Sequence, residues 1–309
     1  QFNYYGVSYG TLLGQYVIAQ ADKHKAKLRS VILDGVVRPD IDFNLASGHS
    51  MSYALRNLFH ACAQDQPCNQ AYPNLEQKFL AIVDQLNQKP VPLTLTIPSS
   101  KKTFVTQLDS NAFLIGLEAY LARPYSGESA RGTSIPKFIQ AASQGNFDWI
   151  AGKLSENLEP TEAREMYHTV LCVRAKSIQV TPSQVLPPPY PQLIPVGIRE
   201  AEAVTKACDV LQVELKPPFV YENPEIPTLV LNGTYDPVTP QPYGEAVAKN
   251  LKTAYVYTFP GVGHGALFAP KGMPAAACVT QIADGFLANP KQAPNSSCLT
   301  QIKPLFVVE

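Results

Sequence analysis

The chain has 309 residues, is 45% hydrophobic, and sets 25 Lys and Arg against 25 Asp and Glu, for a formal net charge of zero. Such a chain can bury a large core as one large domain, or as one domain with a sizeable insertion. A balanced charge gives no field to attract nucleic acid or an acidic membrane, and no apolar run approaches the roughly 18 residues a spanning helix needs.

Phe2 to Val7 is rich in aromatic and β-branched residues, and Thr11 to Gln20 follows with Leu12, Leu13, Tyr16, Val17 and Ala19 at helical spacing. The segment reads as strand, tight turn and helix. Leu28 to Leu33 is a second apolar run, ending at Asp34-Gly35. Its continuous apolarity suits a parallel strand buried on both faces. The same signature returns at Pro227 to Gly233 and at Ala254 to Pro260, with a helical stretch near Tyr243 to Leu251 between them. Strand and helix alternate at both ends of the chain, so the fold class is α/β, with a mostly parallel sheet starting at the first strand.

The middle, 41–224, has helical patterns at Met51–Cys62, Leu75–Leu86, Asn111–Leu121, Ile135–Ser143, Thr161–Ser177 and Ile198–Leu211. A hairpin, Pro92–Ile97 and Thr103–Val105 around Ser99-Ser100-Lys101-Lys102, interrupts them. Proline-rich stretches at Leu186–Pro195 and Lys216–Pro227 read as semi-rigid connections. The expectation is a core of 1–40 and 225–309 carrying a mainly helical cap, 41–224, inserted between its strands.

Gly6-Val7-Ser8-Tyr9-Gly10 fits the G-x-S-x-G pattern, which is weak alone but falls between a predicted strand and a predicted helix. That is the setting of a nucleophile elbow, where the turn is tight enough to favour small residues at Gly6 and Gly10. A serine hydroxyl needs a base, and the base an orienting acid, in the chain order Ser, Asp or Glu, His. Of His24, His49, His60, His168 and His264, only His264 sits in a glycine-rich loop after a late strand, Gly261-Val262-Gly263-His264-Gly265. The acid is Asp236, just past the strand ending at Gly233, with Asp34 as its rival at another strand's carboxyl end. The Tyr9 backbone N–H supplies half of an oxyanion hole; the other donor normally comes from a loop after an earlier strand.

Six cysteines, Cys62, Cys68, Cys172, Cys208, Cys278 and Cys298, fall into three local couples with no C-x-x-C spacing. An even number so spaced favours disulfides and an oxidising compartment. The alternatives are a metal site with His60 beside Cys62 and Cys68, or buried free thiols. Asn232 and Asn295 each open an N-x-[ST] triplet, with Asn295 the more accessible. No basic segment with an apolar core reads as a signal peptide, and a first residue other than Met fits one already removed.

Five stretches together resemble the α/β-hydrolases of the tripeptidyl aminopeptidase and proline iminopeptidase type, with their TAP-like C-terminal region. They are Tyr4 to Thr11, Leu33-Asp34-Gly35-Val36-Val37, Cys62 to Cys68, Leu231 to Pro240 and Pro260 to Gly265. The resemblance implies a secreted or cell-envelope serine hydrolase with a triad of Ser8, Asp236 and His264 under a helical cap. It also implies the pairings Cys62–Cys68, Cys172–Cys208 and Cys278–Cys298, and no metal or cofactor. Relatives carry about a hundred further residues before the serine, including the first strands and a glycine-rich oxyanion loop. The expectation is therefore an N-terminal segment or separate chain that completes the sheet.

Exopeptidase relatives use acidic cap residues to hold a substrate's free amine, often shortly after the cysteine matching Cys172. This chain has Cys172-Val173-Arg174-Ala175-Lys176 there, and a cation repels an ammonium group. Glu118, Glu162 and Glu165 are the substitutes. The leading function is a secreted serine hydrolase of peptide or ester bonds, with an N-terminal exopeptidase slightly ahead. The alternatives are a carboxylesterase and a non-catalytic fragment that needs a separate N-terminal chain.

Overall fold

The structure, a computed structural model, describes residues 1–21, 27–125, 132–158, 164–174, 178, 180–215 and 225–308. Strands β1 (Phe2–Val7), β2 (Leu28–Asp34), β5 (Thr228–Gly233) and β6 (Ala254–Phe259) form one sheet in the order β1-β2-β5-β6. All three pairings are parallel, with Gly6 opposite Leu33, Leu33 opposite Val230 and Val230 opposite Val256. Every residue of β5 is buried, as its unbroken apolar run requires. Because the strands are parallel, their carboxyl ends share one edge of the sheet. Ser8, Asp34, Asp236 and the loop after β6 all emerge there.

Helix α1 (Tyr9–Gln20) packs over β1 and β2. A side chain at Gly6 would put its Cβ 2.3 Å from the Gly10 carbonyl oxygen, so only glycine closes this turn. Gly10 is different: a Cβ there meets nothing nearer than Tyr4 Oη at 3.9 Å. The expectation of steric need at both flanks holds at Gly6 and fails at Gly10. The turn folds the backbone of Gly10 across Gly6, so the close approach is one-sided.

The insertion runs through α2 (Ser47–Gln64), α3 (Gln66–Ala71), α4 (Leu75–Gln88), the hairpin β3 (Val91–Thr96) and β4 (Thr103–Leu108), α5 (Ser110–Ala122), α6 (Ile135–Ser143), α7 (Asp148–Glu156), α8 (Arg164–Val173), α9 (Pro182–Val185) and α10 (Ile194–Leu211). It has its own apolar cluster, including Leu55, Phe79, Phe113 and Ile139, distinct from those on the two faces of the sheet. Disulfides join Cys62 to Cys68, Cys172 to Cys208 and Cys278 to Cys298, the pairings the resemblance implied. The second ties α8 to α10, and the third ties α12 (Pro274–Ala288) to the segment behind it. Helix α11 (Gln241–Ala248) links β5 to β6. With Cys62 and Cys68 bonded to each other, no zinc site forms beside His60, and no metal-binding cluster of acidic, His or Cys side chains occurs among the described residues.

Candidate active site

Ser8 has φ 54° and ψ −122°, a left-handed backbone that L side chains rarely adopt. Strain of this kind persists only where surroundings impose it. Here the Ser8 N–H donates to Asp34 O at 3.0 Å, while its carbonyl accepts from Thr11 N–H at 2.8 Å and Thr11 Oγ1 at 2.6 Å. Thr11 Oγ1 in turn accepts from the Val37 N–H at 2.9 Å, tying the elbow to the turn after β2. Tyr9, next in sequence, opens α1, where the first N–H groups lack intrahelical acceptors and the helix dipole favours negative charge.

Asp236 is fully buried just past β5. Its Oδ1 accepts from the Val238 N–H at 2.9 Å and the Thr239 N–H at 2.8 Å, and its Oδ2 from Thr239 Oγ1 at 2.7 Å. His264 Nδ1 lies 2.9 Å from Oδ2. Burial pushes the Asp236 carboxyl up, but the His264 charge and these hydrogen bonds outweigh it and leave it below the usual carboxylate range. Burial pushes the His264 imidazole down, and the Asp236 charge and hydrogen bond reverse that, so it stands above its ordinary value. With Nδ1 occupied by the acid, Nε2 is the nitrogen free to exchange a proton. Among the described residues no hydrogen bond joins Nε2 to the Ser8 hydroxyl, a contact that often tightens only with substrate present.

The histidine loop is held from both sides. His264 N–H donates to Ala122 O at 3.0 Å, and the Arg123 guanidinium donates to His264 O. From the sheet, a Cβ at Gly35 would come within 3.3 Å of His264 Nδ1, and Gly35 has φ 65°. The imidazole therefore lies against the turn after β2, one strand away from Ser8.

Asp34, the rival acid, does not orient His264. Its carboxylate accepts the Ala266 N–H at 2.6 Å, the Leu267 N–H at 3.0 Å and the Tyr5 hydroxyl at 3.2 Å. It anchors the loop that carries His264, and burial raises its pKa despite those donors.

The remaining histidines are elsewhere: His49 Nε2 pairs with Ser183 Oγ at 3.2 Å, His60 is exposed and His168 packs edge-on against Tyr167. His24 and Glu162 lie outside the described residues. Glu165 is exposed on the first turn of α8, outside the described linings of the two cavities that share Phe43 and Tyr167. The sequence pattern leaves α8 free to turn any polar face inward, and its apolar side is the one turned toward Ser8.

Two adjoining cavities share Phe43 and Tyr167 in their walls, and the second contains the candidate nucleophile. The first, about 340 Å³, is lined by Glu118, Glu200, Asn44, Ser47, Pro237 and Val238. Burial first, then the charges of Glu200 and Asp236, push Glu118 up to about 8, and burial also raises Glu200. The second, about 260 Å³, is lined by Ser8, Tyr9, Met166, Val170, Leu171 and Arg174. Glu118 thus lines the cavity that shares Phe43 and Tyr167 with the Ser8 pocket. Glu200 was missed, since Arg199-Glu200-Ala201-Glu202 reads as a solvated charged stretch.

Parallel strands feeding helices, with a strained serine turn at their carboxyl edge and helices inserted after β2, make this an α/β-hydrolase fold. Residues 195–298 match the family model described as TAP-like protein (Abhydrolase_4). One solved structure it matches is that of MGS-M2, an α/β hydrolase enzyme from a Medee basin deep-sea metagenome library. The identity is 13% and the TM-score 0.26, over 87% of this chain and 60% of that one. The chain spans less than two thirds of that protein's length. No curated protein matches the chain in sequence.

Proposed function

We propose that this protein is a serine hydrolase that removes residues from the amino end of peptides. In this reading His264 Nε2 takes the Ser8 proton as Ser8 Oγ attacks the scissile carbonyl, while Asp236 holds the imidazole and stabilises its cation. The Tyr9 N–H, at the start of α1, faces the developing oxyanion. His264 then protonates the leaving amine, and water, deprotonated by the same imidazole, releases the acyl group from Ser8.

The observation that carries the reading is the His264 Nδ1 to Asp236 Oδ2 contact of 2.9 Å at the sheet edge that also presents Ser8. Preference for a free amine is supported by Glu118 and Glu200, whose cavity adjoins Ser8's. Glu118, held near 8, gives up its proton readily once an ammonium arrives beside it. Turnover of aminoacyl or tripeptidyl anilides, compared with their N-acetylated forms and with short p-nitrophenyl esters, tests this. Faster cleavage of the free-amine anilides is expected. Turnover of the esters alone favours the carboxylesterase reading, for which the apolar wall of Met166, Val170 and Leu171 speaks.

Three disulfides are compatible with an extracellular protein, and no described helix is long and apolar enough to cross a membrane. Secretion or residence in the cell envelope is part of the proposal. So is a further polypeptide segment beside β1, whose outer edge pairs with no strand among the described residues. Phe2 and Tyr5 of β1, and Tyr9 and Leu13 of α1, are all about half exposed. A strand paired there would satisfy the edge and bring a loop close enough for a second oxyanion donor. Intact mass under native and denaturing conditions reveals such a partner if it is a separate chain.

A further inference from the structure

Arg174 ends the turn after α8 and is 8% exposed. Its Nη2 donates to the backbone carbonyls of Arg38 at 3.4 Å and Pro39 at 3.2 Å. Its Nε is buried with no hydrogen-bond partner. The two carboxylates nearest in sequence to those carbonyls are engaged. Asp40 is held bidentately by Arg38 at 2.6 and 2.9 Å, and Asp42 Oδ1 accepts the Asn44 and Leu45 N–H groups at 3.0 Å. Among the described residues no carboxylate lies within ion-pairing distance of Arg174.

A guanidinium stays charged at any physiological pH, and a charge taken out of water needs an opposite charge to offset the loss of hydration. Arg174 lines the pocket that contains Ser8, beside apolar and aromatic side chains of α8, and also lines a further cavity with Asp42 and Asp209, so the nearby acids Asp40 and Asp42 support its charge without bonding to it. The sequence reading set this cation against an ammonium-binding role. Glu118 and Glu200 line the neighbouring cavity, whereas the lining of the Ser8 pocket holds Arg174 and no carboxylate.

We propose that Arg174 is a specificity-determining residue, binding a carboxylate on the group that fills the pocket beside Ser8. The inference rests on the reading of Ser8 as nucleophile. The guanidinium fork pairs with a carboxylate through two parallel N–H···O bonds, and Val170 and Leu171 place apolar surface beside them. With an amine held by Glu118 and Glu200, the site selects short substrates that are dipolar across the scissile bond. Two sources supply the carboxylate: the free C-terminus of a short peptide, or an acidic side chain next to the scissile bond.

The test uses two fluorophosphonates of equal chain length, one tipped with a carboxylate and one with its methyl ester, and follows the rate of Ser8 modification by mass spectrometry. The carboxylate probe is expected to react at least about tenfold faster, which corresponds to about 1.4 kcal/mol. Arg174→Gln brings the ratio close to one, and Arg174→Lys retains part of it. Equal rates in the unmutated protein, or a ratio unchanged in Arg174→Gln, overturn the proposal, and the first of these needs no variant to fold. Short peptides with a free C-terminus, an amidated C-terminus, or an amidated C-terminus plus Asp beside the scissile bond separate the two carboxylate sources. If all three are cleaved equally, the proposal fails. Labelling of Ser8 with the expected ratio but no turnover of any peptide would defeat the peptidase reading and leave Arg174's role standing.

Discussion

Asp34 and Ala266 are 232 residues apart in the chain, yet the Asp34 carboxylate accepts the Ala266 N–H at 2.6 Å. Ser8 and the histidine loop are thereby fastened to the same strand end, because Asp34 O also accepts the Ser8 N–H at 3.0 Å. One residue of β2 sets the position of both. Asp34→Ala leaves two N–H groups of the loop without their acceptor, at about 1–3 kcal/mol for each buried donor left unpaired. Lower thermal stability and loss of hydrolytic rate should appear together, whereas Asp34→Asn, which keeps an acceptor oxygen, should recover part of both.

The His264 and Asp236 shifts determine a pH dependence. His264 is raised above its ordinary 6.5, so its contribution to stability is complete below that value and is lost as pH rises through the higher folded value. Asp236 is lowered below 3.8, so its contribution is complete above that value and is lost as pH falls through the lower folded value. The pair stabilises the fold most between those two ordinary values. Activity needs the neutral imidazole, so kcat/KM should rise with pH through a midpoint above 6.5. Asp236→Asn should move that midpoint down and reduce kcat by about 10⁴. A pH–rate profile of both proteins checks the sign.

Glu118→Gln removes the carboxylate that faces the cavity beside the site. For an anilide with a free amine, KM is expected to rise about tenfold, the order of one charge-assisted hydrogen bond, with little change for the N-acetylated analogue. A parallel loss for both substrates would place Glu118 in a structural role instead.

The Cys172–Cys208 disulfide closes a separation of 36 residues and fixes α8, the wall of the Ser8 pocket, against α10. On chain-entropy grounds its removal in Cys172→Ser with Cys208→Ser costs about 4 kcal/mol. Mild reduction of the native protein should lower the unfolding temperature and raise KM before the sheet itself unfolds. Near- and far-ultraviolet circular dichroism recorded alongside activity separates the two stages.

The strands of the main sheet were legible as short runs rich in apolar, aromatic and β-branched residues, wholly buried in β5 and largely so in β2. Phe2–Val7 is observed as read, and Ala254–Phe259 ends one residue short of the predicted Pro260. Clearly amphipathic helices such as α6, predicted and observed at Ile135–Ser143, were equally legible. Short or poorly patterned ones were not. Helix α3 is a single turn and a half, fixed by Asp65 accepting the Cys68 N–H at 2.9 Å and by the disulfide at Cys68, which leave no periodic signature. Helix α7 buries only two apolar side chains, Ile150 and Leu154, in nine residues interrupted by Gly152, too short a run to set a period.

At the site, spacing alone placed Ser8, His264 and Asp236 at the carboxyl edge of the sheet, since each directly follows a strand. It could not settle Asp34 against Asp236, as both follow strands. Only the bonds each carboxylate makes distinguish a loop anchor from an imidazole partner. Nor could it separate Arg174 from the acids, because which cavity a cap helix faces depends on how α8 packs against α10. The sequence contains no local trace of that packing beyond the two cysteines.

Activity-based labelling of Ser8 bears most directly on this mechanism. A simple alkyl fluorophosphonate applied to the native protein, to Ser8→Ala and to His264→Ala, with the modified peptide located by mass spectrometry, should add one phosphonyl group on Ser8. None should appear in Ser8→Ala, and labelling in His264→Ala should be at least a thousandfold slower, on the order expected for removing a triad base. A label on another residue, or labelling of Ser8 undiminished without His264, would contradict the assignment of this serine as a nucleophile activated by His264 and Asp236.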